Sequence, residues 1–378
     1  MRRAKVLLGF AALGIFWGAW GAALPAVQRS SGASDAQLGL ALLLVGFGAL
    51  LSMRGTGVLL DHLGPRLTPV SVALFGLTGV LPALAGSPLQ LCAVLFVIGA
   101  TSGAMDVAIN ADAVREEAAS GRPLLNVAHA SFSAAVVAGS LGTGLLRWAG
   151  AGPGLVFTLT AVLVLAAAVA MRAPAPWQPP DRELRPRFFD RVPGWLLALG
   201  VLGALAFWIE SAWQNWGSVP LERTLEAAPE TSALAPALFA AAMAVGRLAG
   251  NRLLARWSER RLLVGGALVS ALGTALGAAA DTAPLALTGI VVAGAGCSVL
   301  APTIISVAGR AARPQERATI VGSVTTLMYL GFLVGPAAVG GLAQLETLRI
   351  SLGAVALLAL VLAILCAVVR LPGPHRPG

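Results

Sequence analysis

Twelve stretches of this chain each run for about twenty residues with hardly a charge, and none alternates apolar with polar positions. A helix rising 1.5 Å per residue needs about that length to cross the roughly 30 Å hydrocarbon core of a bilayer. The stretches fall near residues 5–27, 37–60, 68–87, 89–113, 124–147 and 153–171, then 194–216, 231–254, 261–280, 284–309, 318–342 and 349–370. Charged residues make up 11% of the chain and hydrophobic ones 57%. A water-facing surface needs roughly 25% charged residues, so the solvent for most of this surface is lipid. A transmembrane barrel would alternate apolar and polar positions over about ten residues, which these runs do not. The predicted fold class is an all-α polytopic membrane protein, with twelve transmembrane helices in two pseudo-symmetric six-helix bundles.

The division into bundles rests on residues 172–193, RAPAPWQPPDRELRPRFFDRVP, too polar and proline-rich to span. They predict a cytoplasmic linker between an N-terminal bundle, 1–171, and a C-terminal bundle with a short cytoplasmic tail, 194–378. The basic N-terminus followed by an apolar run has the look of a secretory signal. The run is longer than the roughly 7–15 residues of a signal core and further spans follow, so it is read as a retained first helix.

The net charge of +9 does not point to nucleic acid, because the basic residues form no patch with interleaved aromatics. They cluster in short connections. With both termini inside, all but Arg29, Arg147, Arg223 and Arg349 of the 26 lysines and arginines fall on the cytoplasmic side, the bias expected of a bacterial inner-membrane protein. Cys92, Cys297 and Cys366 lie in apolar runs as small fillers, with no paired spacing for a disulfide or a metal. No phosphate-binding G-x-x-x-x-G-K-[ST] loop, H-E-x-x-H or G-x-S-x-G occurs, so neither ATP hydrolysis nor another enzymatic activity is expected, and no cofactor.

The two groups of spans repeat. Arg-x-x-Gly-x-x-Leu at 54–60 returns at 247–253, Ala100 and Gly103 return as Ala293 and Gly296, and Gly142 returns as Gly335, all at one offset. Parallel six-helix repeats build a binding site at their interface in a class of secondary transporters.

At the end of the second span the chain reads Gly57-Val-Leu-Leu-Asp61-His-Leu-Gly64-Pro-Arg66. This resembles the signature loop of the major facilitator superfamily, with proline in place of one basic residue. The second-half copy, from Gly246 to Arg261, keeps the glycines and basic residues but lacks the Asp. The resemblance implies that Gly57, Asp61, Gly64 and Arg66 form a cytoplasmic gate, with Glu116 or Glu117 as a further partner. Residues 103–139 and 210–221 resemble YbjJ-like inner-membrane proteins, distantly similar to the fucose permeases. Asp106-x-x-x-Asn110 stands where those permeases carry Glu-x-x-x-Asn on the fourth helix, which implies proton uptake at Asp106.

Acids within a span are rare and mark ion or substrate pathways. Asp106 and Asn110 are one turn apart and share a face. The structural alternative is a neutral acid hydrogen-bonded inside the bundle. On span seven Glu210 shares a face with Trp213, Gln214 and Gly217, and span one offers Trp17 and Trp20. An acid, an amide and indoles suit a cavity for a partly polar molecule, although Trp also anchors helices at the membrane surface, as expected for Trp216. His129, sharing a face with Ser133 and Ser140, is a second proton-relay candidate. Tyr329 on span eleven is a further cavity candidate.

Arg54 and Arg247 are read as snorkelling to the interface, and no broken helix is evident mid-membrane. Without a central cation, an anionic ligand would lack a partner. The expectation is therefore a monomeric secondary transporter of a small neutral or cationic, sugar-like solute, coupled to protons through Asp106, with Glu210 or His129 next. An exporter of an apolar or cationic compound and a non-transporting membrane sensor or scaffold are the alternatives.

Overall fold

The computed structural model describes residues 2–171, 193–253, 256–313 and 316–373, except for a few side chains, Asp61 among them. Twelve helices among these residues are long and apolar enough to cross a membrane. The first six are Arg3–Ser31, Asp35–Leu60, Gly64–Leu84, Pro88–Ser120, Leu125–Trp148 and Pro153–Met171. The second six are Gly194–Trp216, Pro229–Gly250, Glu259–Ala279, Ala283–Ala311, Thr319–Leu345 and Leu348–Val368. Each overlaps a stretch expected from the sequence, with ends that differ by a few residues, and apart from Pro193 the expected linker lies outside the described residues.

Local chemistry sets the ends. Ser34 caps span two by accepting from the Gln37 N–H, while the Gln37 side chain returns a bond to the Ser34 N–H. These reciprocal bonds satisfy backbone donors that a helix start leaves open. Gly64, with φ of 58°, ends that helix and donates its N–H to the Leu60 carbonyl. A side chain would be strained there, which is the physical reason for glycine at this place in the signature loop.

Three spans depart from continuous helices at prolines, span eight at Ala233, between helices Pro229–Ser232 and Leu234–Leu253 and three residues before Pro236. Span three changes from α-helix (Leu67–Thr78) to a 3-10 turn (Leu81–Leu84) that contains Pro82. Span ten breaks at Ser298 and Val299, between helices Ala283–Cys297 and Leu300–Ala311. Pro302 has no N–H for the Ser298 carbonyl four residues back, and its ring crowds that oxygen. The expectation of an unbroken set of central helices is corrected here.

The chain divides into two compact units, Met1–Asp181 with Gly217–Ala241, and Arg182–Trp216 with Ala242–Gly378. Their internal packing repeats: span one lies along span five in the first unit as span seven lies along span eleven in the second, and three on six corresponds to nine on twelve. Lipid gives helices no hydrophobic reason to associate, so close backbone approach has to hold them. A side chain on Gly18 would strike the Val136 carbonyl oxygen, and one on Gly331 would strike that of Ala204. A Cβ on Gly103 would lie 2.7 Å from the Ala49 Cα, between spans four and two.

Candidate functional site

In the first unit, Asp106 and Asn110 lie half-buried on one face of span four. The Asn110 amide donates to the Asp106 carboxylate at 3.0 Å and to the Asp106 main-chain carbonyl at 2.9 Å. Among the described residues Asp106 has no ion-pair partner, whereas nearby Asp112 is paired with Arg115. A carboxylate without a cation in a low-dielectric span is costly to keep charged.

The other first-unit candidates occupy different settings. His129 is exposed on span five, with its ring 5.0 Å from that of Phe10. Ser133 is buried, and Ser140 is occupied in donating to the Gly18 carbonyl at 3.0 Å. Trp17 is half-buried, edge-on to Phe16. Trp20 is 1% exposed, beside Phe157, and its indole N–H has no acceptor among the described residues.

Of the gate residues, Gly57 has open space around its α-carbon, Gly64 makes the turn described above, and Arg66 is exposed. The side chain of Asp61 lies outside the described residues. Glu117, named with Glu116 as a further partner of the gate, is engaged at a helix start. Its carboxylate accepts from the N–H groups of Leu124 and Leu125, at 2.7 and 3.1 Å, and so caps the start of span five. An anion at a helix N-terminus is well placed for both the open donors and the dipole.

In the second unit, Glu210 is buried on span seven, accepting from the Gln214 amide at 2.8 Å and facing the Arg247 guanidinium at 3.8 Å. Arg247 is thus the partner of a buried acid, and the expectation of a purely interfacial arginine is corrected. Next to it in sequence, Gly246 lies against Ser298, where span ten is broken. Trp213 is buried and donates to the Thr274 hydroxyl at 3.0 Å. Trp216 is buried too, donating to the Pro336 carbonyl at 3.2 Å. It is a packed core residue, not the surface anchor expected. Gln214 is exposed, and Tyr329 is half-buried against Phe207 and Phe332. Glu210, Gln214 and Arg247 therefore form one constellation, Asp106 with Asn110 another.

Sequence reasoning missed an ion-pair network in the first unit. Arg147 donates to both oxygens of Glu222, at 2.6 and 3.0 Å, and to the Ala22 carbonyl at 2.6 Å. Arg29 and Ser232 donate to the same carboxylate, at 2.9 and 2.5 Å. Arg223 pairs with Asp35, which also accepts from Gln28 at 2.7 Å. The Arg147 and Glu222 side chains are 4% and 6% exposed, so this pair is dehydrated. Burial pushes the Glu222 carboxyl up, but hydrogen bonds and charge from Arg147, with Ser232 and Arg29, outweigh it and hold the group below its usual range. Arg349 pairs with Asp281 at 2.6 Å. All four arginines outside the expected cytoplasmic majority therefore have acidic partners, each contributed by a different connection of the chain from the arginine's own.

The profile of the Major Facilitator Superfamily matches residues 196–378. An uncharacterized MFS-type transporter of Yersinia pestis is 34% identical over 94% of this chain and 92% of its own length. An uncharacterized transporter of Sinorhizobium fredii is 31% identical over 97% of both chains. Among solved structures, a mutant of the nucleoside transporter NupG superposes with a TM-score of 0.83 at 11% identity, over 96% of this chain and 98% of its own.

Proposed function

Since the chain belongs to the major facilitator superfamily, we propose that it is a proton-coupled secondary transporter of a small neutral or cationic solute, with Asp106 as the coupling acid. The observation carrying this reading is the contrast between two acids. Glu210 faces Arg247 at 3.8 Å, while Asp106 has only the Asn110 amide and no cation among the described residues. An acid that must choose between an isolated charge and a proton is suited to load and unload one during a cycle. Arg247 already faces Glu210 at 3.8 Å, which argues against a spare cation for an anionic solute. This pairing supports the neutral or cationic reading even though span ten is broken.

Both termini are assigned to the cytoplasm, because the basic residues crowd that side. The Arg147–Glu222 network then lies at the opposite face, where it fastens residues 217–241 to the ends of spans one, two and five. We assign it to holding the helix ends of the first unit together on that side. A thermal-shift screen of sugars, amines and cationic drugs against the purified protein tests the solute class. Stabilisation by neutral or cationic compounds is expected, and saturable stabilisation by a sugar phosphate or dicarboxylate alone would overturn it.

A further inference from the structure

Spans nine and twelve leave a groove of about 620 Å³ between them, in the size range of small-molecule sites. Its deeper lining consists of small buried side chains, Ala271, Ala278 and Ala356, and its outer lining includes the exposed Leu272 and Leu357. It extends from Arg349 to Leu360 along span twelve. At 1.5 Å per residue that is roughly 16 Å, close to half of the ~30 Å hydrocarbon core. The groove is therefore as long as one leaflet is deep, and its lining is apolar everywhere except at one end.

That end carries opposite charges. Arg349 lines the groove and donates through Nη2 to Asp281 at 2.6 Å and to the Ala280 carbonyl at 2.8 Å. Its Nη1 and Nε have no hydrogen-bond acceptor among the described residues, and Asp281 is 83% exposed. An exposed pair of this kind adds little to stability, and both partners keep free hydrogen-bonding capacity at the level of the headgroups.

We propose that this groove is a binding site for a phospholipid with a zwitterionic, primary-amine headgroup. One acyl chain fills the groove, the phosphate accepts from the free Arg349 donors, and the ammonium donates to Asp281. A net-anionic headgroup would leave the Asp281 carboxylate facing negative charge. A quaternary amine has no N–H to donate, so neither matches both ends of the pair.

Gly353 offers a clean test, because it lines the groove and a Cβ built on it meets no atom within 4 Å. Gly353→Leu should fill the groove without disturbing helix packing, and Ala279→Leu, exposed on the same groove, serves as a second block. Purified protein would be offered equal amounts of phosphatidylethanolamine, phosphatidylcholine and phosphatidylglycerol, and retained lipid counted by native mass spectrometry. The wild type should retain one phosphatidylethanolamine at roughly tenfold preference. Both blocking variants should lose that molecule while melting as the wild type does in phosphatidylcholine, and Arg349→Gln with Asp281→Asn should abolish the preference. Equal retention of the three lipids by the wild type, or unchanged phosphatidylethanolamine occupancy in both blocking variants, would overturn the proposal.

Discussion

Glu222 holds two arginines at once, and the consequence of losing it follows from burial. Removing one partner of a dehydrated pair strands the other charge, at about 3–5 kcal/mol. Glu222→Gln should therefore lower stability by about that amount near neutral pH, measured by denaturant unfolding in detergent. Because the folded carboxyl titrates below its usual range, its contribution is fully present above the ordinary carboxylate value, about 4.3. It is lost as pH falls through the lower folded value. The difference in melting temperature between wild type and Glu222→Gln should thus shrink toward strongly acidic pH. A difference that stays constant from pH 7 down to pH 3 would contradict the assigned charge state. Neither the pairing of Arg147 with Glu222 nor the approach of Arg247 to Glu210 could be read from spacing. The Arg147 and Glu222 positions are 75 apart, and which face of a span meets a neighbour is decided by packing.

At the scale of elements, the spans themselves were legible because bilayer thickness dictates their length directly, and a run of apolar residues records it without reference to any neighbour. The break in span ten had a visible cause in Pro302, yet a proline within a span is often absorbed by a bend, and the gap itself, beside Gly246, is seen only in the fold. Trp216 shows the opposite limit. Its composition suits an interface, but the turn of helix seven aims it at Pro336. Two glycines of the signature loop make separable predictions. Gly57 has open surroundings inside a helix, so Gly57→Ala should leave melting unchanged or raise stability by about 0.5–1 kcal/mol. Loss of transport in that stable variant would locate its role in motion. Gly64→Ala must place a side chain at φ of 58°, and should melt lower. Equal melting of the two variants would contradict this division of roles.

For the molecule as a whole, two helix pairings recur, one on five in the first unit as seven on eleven in the second, and three on six as nine on twelve. Membership of a transporter superfamily follows from a relative matched over 94% of the chain, whereas the solute does not, because cavity chemistry changes faster than the packing that supports it. The charge asymmetry makes a global prediction of its own. A reporter active only outside the cytoplasm should stay silent when fused after Gly378 and be active when inserted at Gly150, between spans five and six. The reverse pattern would invert the proposed orientation. The central claim is coupling through Asp106. Its most direct test is solute-driven proton movement in proteoliposomes, using a compound found by thermal shift, for wild type and Asp106→Asn. An amide of nearly the same shape cannot release a proton, so the variant should move none while still exchanging labelled for unlabelled solute. Proton movement at the wild-type rate in Asp106→Asn would show that the coupling acid lies elsewhere.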